Sequence, residues 1–212
     1  NPTWASSAAY ETGEKSPKQI NANQQMGLSD FGKEVIKKMN SLGMIIDMSH
    51  VGEKTFYDAM AITTKPVMAS HSNAYALCPV YRNLKDDQIK AIAKNNGVIQ
   101  LNFYAAFIDT AAGTALVNFN KKHRPERDEL VKAGLQKFEA DDSIFVKYAA
   151  EVEVMQVPLS KLMDHLDYIV KLVGVNHVGL GGDFDGISLT PKNLTDVTQY
   201  QNITKELVNR GY

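Results

Sequence analysis

A chain of 212 residues, 44% hydrophobic and 22% charged, has room for one globular domain of ordinary composition. A net charge of −1 with a pI near 6.6 gives no electrostatic reason to expect nucleic acid or an anionic membrane as partner. No apolar run approaches the ~20 residues that span a bilayer, and the single cysteine, Cys78, excludes an internal disulfide or a cysteine metal cluster.

Residues 1–27 are small and polar, without helical or strand period, and read as a loop with Trp4 and Tyr10 packing on a neighbouring element. From Leu28 the apolar residues Phe31, Val35, Ile36, Met39 and Leu42 recur at helical spacing, with Ser29 or Asp30 as N-cap and Gly43 as the stop. The short run 44–49 then predicts a strand, Glu53 to Ile62 a helix, and 66–70 a second strand. Next comes a loop from Ser72 to Asn83, in which Cys78 beside Pro79 reads as a small, partly buried filler. A helix over 85–95 and a strand over 98–103 follow. This alternation points to βα units and an α/β fold with a parallel sheet.

Residues 104–157 break the rhythm with a mixed-charge stretch, Lys121 to Asp128, and further helical pattern, and read as an insertion between strands. Pro158 opens an amphipathic helix with Leu159, Leu162, Met163, Leu166, Ile169 and Val170 on one stripe. His165, between Asp164 and Asp167, reads as a solvated or capping residue. A fourth strand runs from His177 to Asp183, with His177 at its amino end as a structural residue, and one more helix follows Thr195. Asn193 and Asn202 match the glycosylation pattern, which has meaning only in a eukaryotic secretory context.

Two of the predicted strands end in the same pair, Ser49-His50 and Ser70-His71. Ligand groups of parallel α/β sheets collect at the carboxyl ends of strands, so two such histidines can face one metal ion. Either histidine alone is more often a hydrogen-bonded structural group; two in register are a candidate pair of ligands. Asp183 closes the fourth strand at the same edge, although Asp183 and Asp185 are each also able to form a turn.

DMSHVGEKTF, PVMASHSNAYALCPVYRNLKDDQIKAI, GVIQLNF and HLDYIVKLVGVNHVGLGGDFDGI resemble, in order and spacing, the membrane (renal) dipeptidase family, peptidase family M19. These are zinc dipeptidases of the amidohydrolase-like barrels. The resemblance implies the carboxyl-terminal half of a (β/α)8 TIM barrel, about four βα units, with 1–27 as an active-site-side loop. It implies that His50 and His71 hold one zinc of a binuclear pair and that Arg82 binds the carboxylate of a dipeptide substrate. Asp183 would be the catalytic aspartate, serving a hydroxide that bridges the two zincs. The family's first-strand His-x-Asp, bridging glutamate and substrate histidine have no counterpart here. The chain begins Asn-Pro, without initiator methionine, and reads as a piece of something longer.

On that reading the chain alone is expected to be inactive or nearly so. It is expected to pair with the missing half of the barrel, to pair with itself, or to fold poorly, the complete protein being a homodimer. The alternatives are another amidohydrolase-type hydrolase or deaminase, or an inactive half-barrel that only binds a partner.

Overall fold

The computed structural model describes residues 4–11 and 26–212, the side chain of Tyr10 excepted. Most of the loop expected over 1–27, and the packing of Tyr10, lie outside the described residues. Within the described part, antiparallel bridges join Ala5 to Leu28 and Ser7 to Val51, and one helical turn, α1 (Ala8–Glu11), follows. Trp4 packs as expected, its carbonyl taking the Ser29 N–H at 3.0 Å and its ring lying against Gly32.

The chain packs as two compact units, one of residues 1–102 with 166–181, the other of residues 103–165 with 182–212. The first holds the sheet. Its helices are α2 (Asp30–Leu42), α3 (Glu53–Met60) and α4 (Asp86–Lys94), and its strands β1 (Met68–Ala69), β2 (Val98–Asn102) and all but the last residue of β3 (Val178–Gly182). The strand order is β1-β2-β3, and β1 pairs with β2 in parallel, Met68 opposite Val98. Ile99 and Leu101 of β2 are fully buried, as expected of a strand covered on both faces. Of the two caps offered by the sequence for α2, Ser29 is the one used, its hydroxyl accepting the Gly32 N–H at 3.1 Å.

The first predicted strand is shorter than its apolar run suggests. Residues 44–49 contribute one parallel bridge, Asp47 to Met68, with Met68 N–H donating to Ile46 O and Met48 N–H to Met68 O. Met44 and Ile45 are exposed while Ile46 and Met48 are buried, the pattern of an edge rather than of a central strand. The apolar stripe of α2 differs in the same sense: Ile36 is buried, but Phe31 and Leu42 face solvent.

The second unit is helical: α5 (Ala105–Ile108), α6 (Thr110–Lys132), α7 (Lys137–Lys147), α8 (Ala149–Met155), the first turns of α9 (Leu159–Val173), and α10 (Tyr200–Asn209). The mixed-charge stretch Lys121 to Asp128 lies inside α6, which runs from its Asp109 cap through Pro125. Its charges serve the packing of neighbours, Lys122 with Glu151 at 2.8 Å and Glu126 with Lys147 at 2.5 Å. Phe119 meets Phe145 edge to face, and His123 lies tilted against the ring of Tyr148.

His165 corrects the sequence reading. It is 1% exposed, and its Nε2 donates to Ile108 O at 3.0 Å. The reason is its spacing, three residues after Leu162 and four before Ile169, which puts it on the buried stripe despite its acidic neighbours. His177 behaves as expected of a structural residue, its Nδ1 donating to Gly97 O at 2.8 Å.

Candidate metal-binding site

Asp47 sits where the edge segment meets β1, and its carboxylate ties the two Ser-His pairs together. Oδ1 accepts the main-chain N–H of Ser49 and of Ser70, each at 3.0 Å, and Oδ2 accepts the Ser70 hydroxyl at 2.5 Å. Ser49 completes the join: its Oγ accepts the His71 N–H at 3.0 Å and lies 3.1 Å from Ser72 Oγ. With the two turns locked in this way, the rings of His50 and His71 meet edge to face, their centroids 4.9 Å apart. His50 takes a left-handed backbone, φ 69°, a conformation that costs a non-glycine residue roughly 1–3 kcal/mol. Such strain collects at functional sites.

The separation of the two rings is compatible with a shared metal ion. Two imidazoles bound at Zn–N distances near 2.0 Å in tetrahedral geometry have centroids about 5 Å apart, close to the observed 4.9 Å. The Ser70 hydroxyl, 2.7 Å away, occupies His71 Nδ1, so Nε2 is the nitrogen left to face an ion. Among the described residues no group of three or more His, Cys, Asp or Glu is placed to hold a metal. The chain's one His-x-Asp sequence, His165-Leu166-Asp167, lies within α9 rather than on a strand.

Arg82 belongs to the same unit as the two histidines and is 7% exposed, an unusual depth for a guanidinium. The loop that carries it is fastened by two asparagines that sequence reasoning passed over. Asn73 Nδ2 donates to Asn102 O at 2.9 Å and its Oδ1 accepts the Asn102 N–H at 3.1 Å, which anchors the loop to the end of β2. Asn83 Nδ2 donates to Cys78 O at 2.8 Å, and Leu84 N–H returns to Asn73 O. Cys78 is fully buried inside this loop, as a filler should be. The signal for these roles was present in the motif, where a small polar residue precedes or follows each histidine and asparagine follows Arg82.

Asp183 directly follows β3 and is the N-cap of a single 3-10 turn, Phe184–Gly186. Its backbone is left-handed too, φ 80°. The carboxylate lies over Gly186, where an added Cβ would stand 2.4 Å from Oδ1, so the glycine makes room for the aspartate. A second close approach fixes the strand itself: a Cβ on Gly181 would lie 2.2 Å from Ser70 O, beside the end of β1. Asp185 is exposed.

The model of the membrane dipeptidase family, peptidase family M19, matches residues 1–212. The chain belongs to that family. It is 36% identical over 184 residues to a Schizosaccharomyces pombe protein named as an uncharacterized dipeptidase, and 32% identical over 185 residues to dipeptidase aclJ of Aspergillus oryzae. Each match covers 87% of the chain and 34% of the relative, so this M19 chain spans about a third of their length. Among solved structures, the probable dipeptidase PvdM of Pseudomonas aeruginosa superposes with a TM-score of 0.72 at 28% identity, over 99% of the chain and 55% of PvdM. A metallo peptidase of Rhodobacter sphaeroides, crystallised with a phosphinate mimic of the dipeptide L-Ala-D-Ala, gives 0.65 at 26% identity. That match covers 90% of the chain and 43% of the peptidase. These likenesses agree with an α/β fold built on a parallel sheet.

Proposed function

We propose that this chain is the carboxyl-terminal half of a (β/α)8-barrel zinc dipeptidase, in which His50 and His71 hold one of two zinc ions. The observation that carries the reading is the approach of the two imidazoles at the ends of neighbouring segments of the sheet. Membership of the family and the dipeptide mimic bound by the Rhodobacter sphaeroides relative support dipeptides as the substrate class. When bound, zinc supplies Lewis acidity to the scissile carbonyl and an acidified water.

The chain's own residues do the rest. Arg82 grips the free carboxylate of the dipeptide with a planar, permanently charged fork, which confines the site to short peptides. Asp183 accepts a proton from the attacking water and passes it to the leaving amine, which departs neutral. The exposed apolar residues Phe31, Leu42, Met44 and Ile45 meet the remaining half of the barrel.

A zinc titration followed by a hydrolysis panel tests this. The chain is expected to bind about one zinc through its two imidazoles. With the rest of the barrel supplied, it is expected to hydrolyse dipeptides in preference to cyclic amides. Cyclic amides as the better substrates would move the protein to another amidohydrolase chemistry. Neither zinc nor hydrolysis would make it a half-barrel that only binds a partner.

A further inference from the structure

We propose that Asp47 is a positioning residue which, acting through Ser70, fixes the tautomer of His71 so that Nε2 carries the lone pair. The inference rests on His71 being a zinc ligand, and goes beyond that reading by naming what makes it one. The protons available along three groups set the tautomer. An ionised carboxylate only accepts, and a serine hydroxyl has one proton to give. Asp47 Oδ2 lies 2.5 Å from Ser70 Oγ, so that proton points to Asp47. Ser70 Oγ then offers only lone pairs to His71 Nδ1 at 2.7 Å, and Nδ1 must carry the ring hydrogen. A neutral histidine in water favours the opposite tautomer, so the relay imposes the form that leaves Nε2 bare for a metal.

The orientation of the carboxylate is itself fixed. Oδ1 is held by two main-chain donors, Ser49 N–H and Ser70 N–H, which no amide nitrogen can accept from. In Asp47→Asn those donors keep the amide oxygen at the Oδ1 position and put the NH2 group against Ser70. The amide then donates to Ser70, Ser70 turns its own proton to His71 Nδ1, and the ring hydrogen moves to Nε2. An isosteric substitution thus reverses the direction of the whole chain of hydrogen bonds. Ligand-orienting partners of this kind change metal affinity by about 10–100-fold when removed.

The test is long-range nitrogen–proton NMR of the histidine rings in the metal-free chain, at alkaline pH where imidazoles are neutral, followed by zinc titration. The expected result is the Nδ1–H form of His71 in the wild type and the Nε2–H form in Asp47→Asn. Zinc binding by that variant should be about 10–100-fold weaker. Ser70→Ala keeps the carboxylate's bonds to both main-chain donors and should also give the Nε2–H form. An Nε2–H His71 in the wild type, or an unchanged tautomer in folded Asp47→Asn or Ser70→Ala, overturns the proposal. Should both variants fail to fold, the wild-type spectrum alone decides. The ligand reading fails separately, by zinc binding that His71→Ala leaves undiminished.

Discussion

His50 and His71 meet edge to face with ring centroids 4.9 Å apart, held there by hydrogen bonds that converge on the serines before them. On the proposed ligand role, replacing either ring by alanine removes a direct donor rather than an orienting partner. Zinc affinity should therefore fall by more than the ~100-fold upper range of outer-shell changes. Because one remaining imidazole is a poor site, the double variant should lose little more than either single one. Competition against a chromophoric chelator measures all three. Additive losses would mean that the two rings bind separate ions.

Asn73 is fully buried and answers both main-chain groups of Asn102. Asn73→Ala would leave a buried N–H and a buried carbonyl without that partner, at about 1–3 kcal/mol each. A drop in the urea midpoint, with the loop of Arg82 loosened, is the expected outcome. An unchanged midpoint would show that another group replaces the amide.

Gly186→Ala tests how Asp183 is placed. The new methyl group would stand 2.4 Å from Asp183 Oδ1, so the carboxylate has to move. In the assembled enzyme the expected effect is on turnover, about 10²-fold for a displacement near 1 Å, with KM nearly unchanged. Asp183→Asn sets the scale, since loss of a positioned acid–base group costs about 10²–10⁴-fold. A Gly186→Ala enzyme with wild-type turnover would separate Asp183 from the chemistry.

Much of the unit carrying the sheet was legible in the sequence, because its signals are local. Gly43 and Ser29 delimit α2, apolar runs mark β1 to β3, and histidine recurs after serine beyond β1 and beyond the edge segment beside it. The joins between those ends were not legible. Nothing in the period of residues 44–50 announces that Asp47 accepts from Ser70, because that bond depends on which segments lie side by side. The same holds for Asn73 and Asn102, whose pairing is a property of the sheet edge. The reading of His165 failed for a different reason: its acidic neighbours were weighed above its spacing on the helix.

His165 should also make the helical unit sensitive to mild acid. Burial holds its imidazole below the ordinary histidine range, with the bond to Ile108 O opposing the shift. The folded state therefore binds fewer protons than the unfolded state, whose histidine titrates near pH ~6.5. Stability is fully present above that value and falls as pH drops through it toward the lower folded value. His165→Gln keeps a donor for Ile108 O and removes the titration. Its urea midpoint should change less between pH ~7 and ~5 than that of the wild type. Identical slopes would assign the sensitivity elsewhere.

If His50 holds a metal as proposed, its left-handed backbone sets stability against chemistry at a single position. Glycine there would relieve roughly 1–3 kcal/mol of local strain, set against the entropy a glycine loses on folding, and would delete the imidazole. His50→Gly is therefore expected to be a hardier protein than His50→Ala while binding zinc no better. Selection for thermal robustness alone would then drift toward glycine at residue 50. Only selection for the metal site would keep histidine in a conformation that resists it.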